Sequence, residues 1–197
     1  LRMILNIKNN FGTAIATTSP GHPGTQIINT IIDNNTGTSI WISGGYTYLL
    51  DNVTVINNNG YFTPCDDQDP ACNGYGGGIY IQGSGEGTII KDSFISGNYS
   101  NTGAGIYMLM ANVEINNSVI HNNFSESNGG GIYMAESNCN INNSLISNNH
   151  SSQGGGLFQY ISTTNINNCT LYDNIATSEE GNNLFLYDYS TSMINNS

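Results

Sequence analysis

Isoleucine and other aliphatic residues recur along this chain in three columns, each at a nearly fixed interval. The first column is Ile15, Ile40, Ile79, Ile106, Ile132, Leu157 and Leu184; the second is Ile27, Leu50, Ile90, Ile115, Ile141, Ile166 and Ile194; the third is Ile7, Ile32, Val55, Ile95, Ile120, Ile146 and Leu171. Members of the third column are separated by 25, 23, 40, 25, 26 and 25 residues. Short apolar runs that are rich in β-branched residues and bounded by Gly or Asn predict strands rather than helices.

The fixed interval predicts a solenoid, in which each unit packs only on its neighbours. We predict an all-β, right-handed, single-stranded parallel β-helix with about seven coils of roughly 25 residues and three short strands per coil. A leucine-rich horseshoe has an overlapping period, but leucine is scarce here and no segment has helical spacing. Residues 1–197 are expected to form one domain, a segment of a longer solenoid, because Leu5 and Ser197 share one phase of the repeat.

Two polar columns accompany the aliphatic ones. The Asn column contains Asn10, Asn35, Asn58, Asn98, Asn123, Asn149 and Asn174. Stacked coils would align these amides so that they hydrogen-bond along the axis, and Asn tolerates left-handed backbone geometry. Gly-rich phrases precede the first aliphatic column, as in Gly129-Gly130-Gly131-Ile132. They predict a sharp corner at which a Cβ would clash.

The charge of the chain is low and strongly acidic. Only 9% of the residues are charged, the formal net charge is −11, and Arg2, Lys8 and Lys91 are the cationic side chains. Binding to nucleic acid or to an anionic membrane surface requires a basic face, so neither partner is expected. No stretch approaches the roughly 20 apolar residues of a spanning helix, so we expect no membrane insertion.

The 40-residue interval contains an acidic loop, which we interpret as an insertion at residues 60–75. Cys65 and Cys72 bracket this loop, and a disulfide between them would suit an oxidising compartment. Asp66, Asp67 and Asp69 supply hard oxygen ligands that suit Ca²⁺, although the loop can equally be a solvated acidic tip. No other cofactor is expected.

The remaining cysteines, Cys139 and Cys169, occupy unlike positions of the repeat. Stacking would not bring them face to face. We therefore predict that both are buried free thiols.

The Gly-rich phrase and the Asn-containing phrase together resemble the paired tetrapeptides of the polymorphic outer membrane protein repeat, Gly-Gly-Ala-(Ile/Leu/Val) and Phe-x-x-Asn, of chlamydial surface proteins. The first tetrapeptide is matched by Gly76–Ile79, Gly103–Ile106, Gly129–Ile132 and Gly154–Leu157. The third aliphatic column stands where that family has Phe. The resemblance implies a secreted or surface-displayed β-helix that serves adhesion, with no catalytic residues. The pattern is also similar to that of pectin-active enzymes and phage tailspikes.

One residue after the first aliphatic column, aromatic side chains recur. This stripe contains Trp41, Tyr80, Tyr107, Tyr133, Phe158 and Phe185. Strand alternation points these residues outward if the aliphatic column points inward. An exposed aromatic stripe can stack on sugar rings or bind a protein partner, so we take it as the candidate ligand-binding surface. The alternative is that the rings pack along the sheet only to stabilise it.

The sequence gives little indication of residues that could act together in catalysis. A lyase needs a positioned base, and Lys91 beside Asp92 is more typical of a solvated surface pair. A glycoside hydrolase needs two facing carboxylates, but Asp92, Glu114 and Glu136 do not share one column. We therefore predict no catalytic residues.

The function that these patterns favour is a non-enzymatic adhesin or structural rod. We expect it outside the cell or on the cell surface, bound to glycans or to a host or cell-surface protein, with possible head-to-tail assembly into filaments. The alternative is a carbohydrate-active or glycan-binding protein that uses the aromatic stripe. Asn116 and Asn142 are candidate N-glycosylation sites on outward positions.

Overall fold

The chain folds into an all-β parallel solenoid of about seven coils, with about 26 residues per turn. This computed structural model describes residues 5–17, 25–45, 47–60, 74–83, 87–178 and 180–197. Within these ranges every strand pairs in parallel with its counterpart in the neighbouring coil, and there is no helix. The predicted β-helix architecture with three strands per coil is confirmed.

Three seven-stranded sheets run along the axis. Sheet A contains β1 (Leu5–Lys8), β4 (Thr30–Asp33), β7 (Thr54–Ile56), β10 (Phe94–Ser96), β14 (Val119–His121), β18 (Leu145–Ser147) and β22 (Thr170–Tyr172). Sheet B contains β2 (Ile15–Thr17), β5 (Ile40–Ser43), β8 (Ile79–Gln82), β12 (Ile106–Leu109), β16 (Ile132–Ala135), β20 (Leu157–Tyr160) and β24 (Leu184–Tyr187). Sheet C contains β3 (Thr25–Ile28), β6 (Tyr48–Asp51), β9 (Thr88–Lys91), β13 (Asn112–Asn116), β17 (Asn138–Asn142), β21 (Thr163–Asn167) and β25 (Thr191–Asn195).

A fourth, short sheet follows sheet A in four of the coils. It contains β11 (Tyr99–Ser100), β15 (Phe124–Ser125), β19 (His150–Ser151) and β23 (Ile175–Ala176). The sequence did not predict it, because a two-residue strand carries no detectable alternation.

The three aliphatic columns line the interior, as predicted. Members in the middle coils, such as Ile106, Ile115 and Ile120, are completely buried. Each column is in register across its sheet; Ile132, for example, pairs with Ile106 on one side and with Leu157 on the other. Cys139 and Cys169 are buried and free, which confirms the prediction for these two thiols.

The Asn column forms a continuous ladder inside the corner that follows sheet A. Each side-chain Nδ2 donates to the Oδ1 of the next member at 2.9 to 3.0 Å, from Asn10 to Asn174. The same Oδ1 also accepts the backbone N–H of the preceding member, as Asn123 does from Asn98 at 3.1 Å. The second Nδ2 hydrogen goes to a backbone carbonyl, such as Ile95 O for Asn123. We call this the inner Asn ladder; its buried amides are fully hydrogen-bonded, as burial requires.

The left-handed geometry expected for the ladder belongs instead to the residue before each member. Asn122 and Asn148, for example, have φ of 54° and 53°. These preceding residues face outward at the turn, which leaves the ladder amides free to point inward.

The Gly-rich phrases form the corner before sheet B, as predicted. Gly129 has φ of 64°, and a Cβ there would lie 2.8 Å from Tyr133 Cβ. A Cβ on Gly131 would lie 2.5 Å from Gly156 O and 3.0 Å from Asn149 Nδ2. Glycine is therefore required because backbone carbonyl groups, the outward aromatic side chain and the inner Asn ladder all approach the corner closely.

Candidate functional site

The aromatic stripe lies on the outer face of sheet B. Strand register aligns its members in one column with one residue per coil, in the order Trp41, Tyr80, Tyr107, Tyr133, Phe158 and Phe185. The rings of Tyr80, Tyr107, Tyr133 and Phe158 stack nearly parallel, with centroids 4.9 to 5.3 Å apart. Trp41 meets Tyr80 edge to face at 6.3 Å. The predicted outward column is therefore present as a ring stack.

The stack is much less exposed than the sequence led us to expect. Tyr80, Tyr107 and Phe158 are only 5%, 7% and 5% exposed. Each ring face lies against the ring of the next coil, and Tyr75 also stacks on Tyr107 at 4.8 Å. The faces within the column are consequently not open to a sugar, and the column presents ring edges and hydroxyl groups instead.

Burial makes the tyrosine hydroxyls of the stack harder to deprotonate than an ordinary tyrosine. Loss of solvation raises the pKa of Tyr80 to about 12, and the same cause raises the pKa of Tyr107 and of Tyr133 above the usual tyrosine value. These groups therefore act as neutral hydrogen-bond donors and acceptors over the physiological pH range.

The stripe opens into a groove in its last coils. We call this the aromatic groove; its volume is about 250 Å³, and its lining residues are Asn128, Tyr133, Gln153, Phe158, Tyr160 and Tyr187. Tyr133 and Phe158 belong to the stack, whereas Tyr160 and Tyr187 belong to the next outward column of sheet B and stack on each other at 5.9 Å. Ala135 precedes Tyr160 in that column. We attribute the open space beside Tyr133 to this small side chain.

The other side of the aromatic groove carries amide side chains. Asn128 and Gln153 pair through a β-bridge at the Gly-rich corner, and Gln153 Nε2 donates to Glu180 Oε2. Tyr187 is 54% exposed, so its ring is available to a ligand. Sequence reasoning found Tyr133 and Phe158 but missed Tyr160, Tyr187 and the two amides, because these occupy columns whose composition changes from coil to coil.

Cationic side chains are engaged elsewhere in the described ranges. Lys8 Nζ lies 3.0 Å from Asp33 Oδ2, and Lys91 Nζ lies 3.1 Å from Asp51 Oδ2 in the neighbouring coil. Lys91 therefore pairs across sheet C rather than with Asp92. The aromatic groove has no cation among its lining residues to attract an anionic ligand.

The carboxylates considered for hydrolysis occupy three different columns. Glu114 faces outward in the middle of β13, Asp92 lies at the turn after β9, and Glu136 lies at the turn after β16. Asp92 Oδ1 accepts a hydrogen bond from Asn117 Nδ2 at 3.2 Å. The fold thus does not align these three residues along one column.

Several predicted residues lie outside the described ranges: Cys65, Cys72, Asp66, Asp67 and Asp69 of the acidic loop. The disulfide and the calcium site stay predictions. Within the described part of the chain, no group of three or more His, Cys, Asp or Glu residues is arranged to hold a metal ion, and no helix has the length and apolar character needed to cross a membrane.

The candidate glycosylation residues lie in a second, outer ladder on sheet C. Asn142 Nδ2 donates to Asn116 Oδ1 at 2.9 Å, and Asn167 and Asn195 continue the chain at 3.0 and 2.9 Å. Asn116 and Asn142 are half-buried and face outward, as expected. Their modification stays a prediction.

Comparison with known proteins identifies no relative: no family model, curated protein or solved structure matches this chain.

Proposed function

We propose that this protein is a non-enzymatic β-helix displayed outside the cell or on its surface, where it binds neutral glycans through the aromatic groove. The observation that carries the proposal is the groove itself, in which aromatic rings and side-chain amides line one depression. Aromatic rings cover the C–H faces of sugars, while amides and phenols exchange hydrogen bonds with hydroxyl groups. This combination is typical of carbohydrate recognition.

Charge narrows the class of glycan. The chain carries a net charge of −11, and Glu180 contacts Gln153 at the edge of the groove. Anionic polysaccharides such as pectate would be repelled. A neutral glycan meets no such penalty, because the lining groups are uncharged.

The rod-like fold favours adhesion over catalysis. A stack of coils joined by hydrogen-bonded ladders is a rigid support that holds a binding surface in place. Asp92, Glu114 and Glu136 lie in three different columns, whereas hydrolysis needs two carboxylates that converge on one bond. The proposal agrees with the adhesive role that the resemblance to the polymorphic outer membrane protein repeat implies.

A glycan array followed by calorimetry tests the proposal. We expect binding to neutral oligosaccharides that becomes about tenfold weaker in Tyr187→Ala, since an aromatic contact is worth up to roughly 1.5 kcal/mol beyond its buried area and about 1.4 kcal/mol is a factor of ten. Tyr172→Ala is the matched control, because Tyr172 is 44% exposed on sheet A, away from the groove. Unchanged binding in Tyr187→Ala would contradict the proposal.

An activity assay separates adhesion from the enzymatic alternative. The proposal expects that incubation with the bound glycan releases neither reducing nor unsaturated sugar ends. Release of either kind of end would contradict the non-enzymatic part of the proposal.

A further inference from the structure

A second groove lies on the outer face of sheet C, on a different side of the coil from the aromatic groove. Its volume is about 220 Å³, and Ile89, Glu114, Asn138 and Asn140 are among its lining residues. Ile89, Glu114 and Asn140 are consecutive members of one outward column. With Thr47 from the coil before Ile89, the groove spans four neighbouring coils.

Side-chain hydrogen bonds join neighbouring coils in the two outward columns that flank this groove. The column between them, which contains Glu114 and Asn140, lacks one such bond, and we call this missing bond the gap. In the column on one side, Asn138 Nδ2 donates to Asn112 Oδ1 at 3.1 Å; in the column on the other, Asn142 Nδ2 donates to Asn116 Oδ1 at 2.9 Å. In the middle column Asn165 Nδ2 donates to Asn140 Oδ1 at 2.8 Å. Among the described residues, no hydrogen bond continues this chain from Asn140 to Glu114.

The groups on the two sides of the gap are complementary. Because Asn140 Oδ1 points to the coil of Asn165, its Nδ2 points to the opposite side, toward the coil of Glu114. Asn116 Nδ2 donates to Glu114 Oε1 at 3.0 Å, which holds the carboxylate in place. A donor on one coil thus faces an acceptor on the next coil, about 4.8 Å along the axis.

A ligand hydroxyl fits this gap, because it can accept a hydrogen bond from the amide and donate one to the carboxylate. Hydrogen bonds to a charged group are the stronger ones, so Glu114 would contribute most. An anion would be repelled by Glu114, and a metal cation would meet the amide N–H group of Asn140. Ile89 offers methyl groups to the C–H side of a sugar ring.

We propose that the groove on sheet C is a second saccharide site, in which one hydroxyl of a neutral sugar bridges Asn140 and Glu114. The site is independent of the aromatic groove, since no residue lines both. A rod with saccharide sites on two faces can hold two glycan chains at once and so cross-link them.

The test is an NMR titration of the full chain, labelled with ¹⁵N, with cellohexaose, laminarihexaose and mannohexaose as separate probes. We expect at least one probe to shift the side-chain amide signals of Asn138 and Asn140. In Asn140→Asp the affinity at this site should fall at least about tenfold, because a donor to the ligand is replaced by an acceptor that repels Glu114. Asn167→Asp is the matched control, since it makes the same change on the same face outside the groove.

Two further variants make the test decisive. Glu114→Gln should weaken the binding through loss of the charge, and it covers the case in which Asn140→Asp does not fold. Tyr187→Ala should leave the shifts of Asn138 and Asn140 unchanged, which separates this site from the aromatic groove. The proposal is overturned if no probe shifts these signals, or if the affinity read from the Asn138 signal is the same in Asn140→Asp and Glu114→Gln as in the unaltered protein.

Discussion

The inner Asn ladder and the outer ladder of Asn116, Asn142, Asn167 and Asn195 contain the same side chain joined by the same hydrogen bond. The bond lengths are 2.9 to 3.0 Å in both. They differ in what surrounds the amide. From Asn35 to Asn174 an inner amide is buried and also binds two backbone groups, whereas an outer amide is half-buried or exposed. A repeated interaction therefore stabilises the fold mainly where water cannot replace it.

The largest expected effect is on the inner ladder. In Asn123→Ala, the backbone N–H and Nδ2 of Asn98 lose their acceptor and Ile95 O loses its donor. We expect the free energy of unfolding to fall by about 3 kcal/mol or more, since each buried group left without a partner costs roughly 1–3 kcal/mol. Urea unfolding followed by circular dichroism measures the change. A loss below about 1 kcal/mol would mean that water fills the site.

A substitution at the Gly-rich corner before sheet B tests how closely the inner Asn ladder is packed. The Cβ of Gly131→Ala would press on Gly156 O and Asn149 Nδ2. We expect a loss of about 1–3 kcal/mol from overpacking. Gly45→Ala is the control, because a Cβ there meets no atom within 4 Å. Equal stability of the two variants in urea would show that the corner relaxes freely.

The side-chain amide of Gln159 extends the comparison, because it is buried but only one of its two polar atoms is hydrogen-bonded. Gln159 is completely buried in sheet B, where its Nε2 donates to Ser192 Oγ at 2.8 Å and its Oε1 has no partner among the described residues. Met108 and Met134 occupy the same column. Gln159→Met should therefore raise the free energy of unfolding by about 1 kcal/mol. A lower urea midpoint would indicate that Oε1 is hydrogen-bonded after all.

The smallest effect is expected on the outer ladder. Asn142→Ala removes bonds to Asn116 and Asn167 at a position that water reaches. We expect the free energy of unfolding to change by less than about 0.5 kcal/mol, as for ordinary surface substitutions. The same urea experiment provides the measurement. A loss similar to that of Asn123→Ala would refute the distinction between the two ladders.

The stacked tyrosines add a prediction about pH. Because the pKa of Tyr80 rises to about 12 on folding, the folded state holds this proton more tightly than the unfolded state. The resulting stability is fully present below the ordinary tyrosine pKa of about 10 and is lost as the pH rises toward 12. The urea midpoint should fall as the pH rises through this alkaline range. In Tyr80→Phe the urea midpoint should fall less over the same range.

Much of this architecture was accessible from the sequence because it repeats. Ile106, Ile132 and their counterparts predict an inward column, Asn98 and Asn123 predict a ladder, and Gly129 and Gly131 predict a corner. Apart from the two-residue strands of the fourth sheet, what escaped prediction does not repeat. Tyr160 and Tyr187 join the aromatic groove because Ala135 occupies their column one coil earlier, and Glu114 stands in a column that changes from Ile89 to Asn140 within three coils.

The sequence by itself determined the coil length, the three sheets and the inward or outward direction of each column, because these follow from a fixed interval and from strand alternation. Only the tertiary structure decided how much of each outward side chain remains available. Stacking of coils places successive rings about 5 Å apart, so the stripe covers its own faces, and the aromatic groove opens beside Tyr133 and Phe158. Strand alternation determines whether a side chain points inward or outward. The exposed fraction of that side chain depends on the residues of the same column in the two adjacent coils.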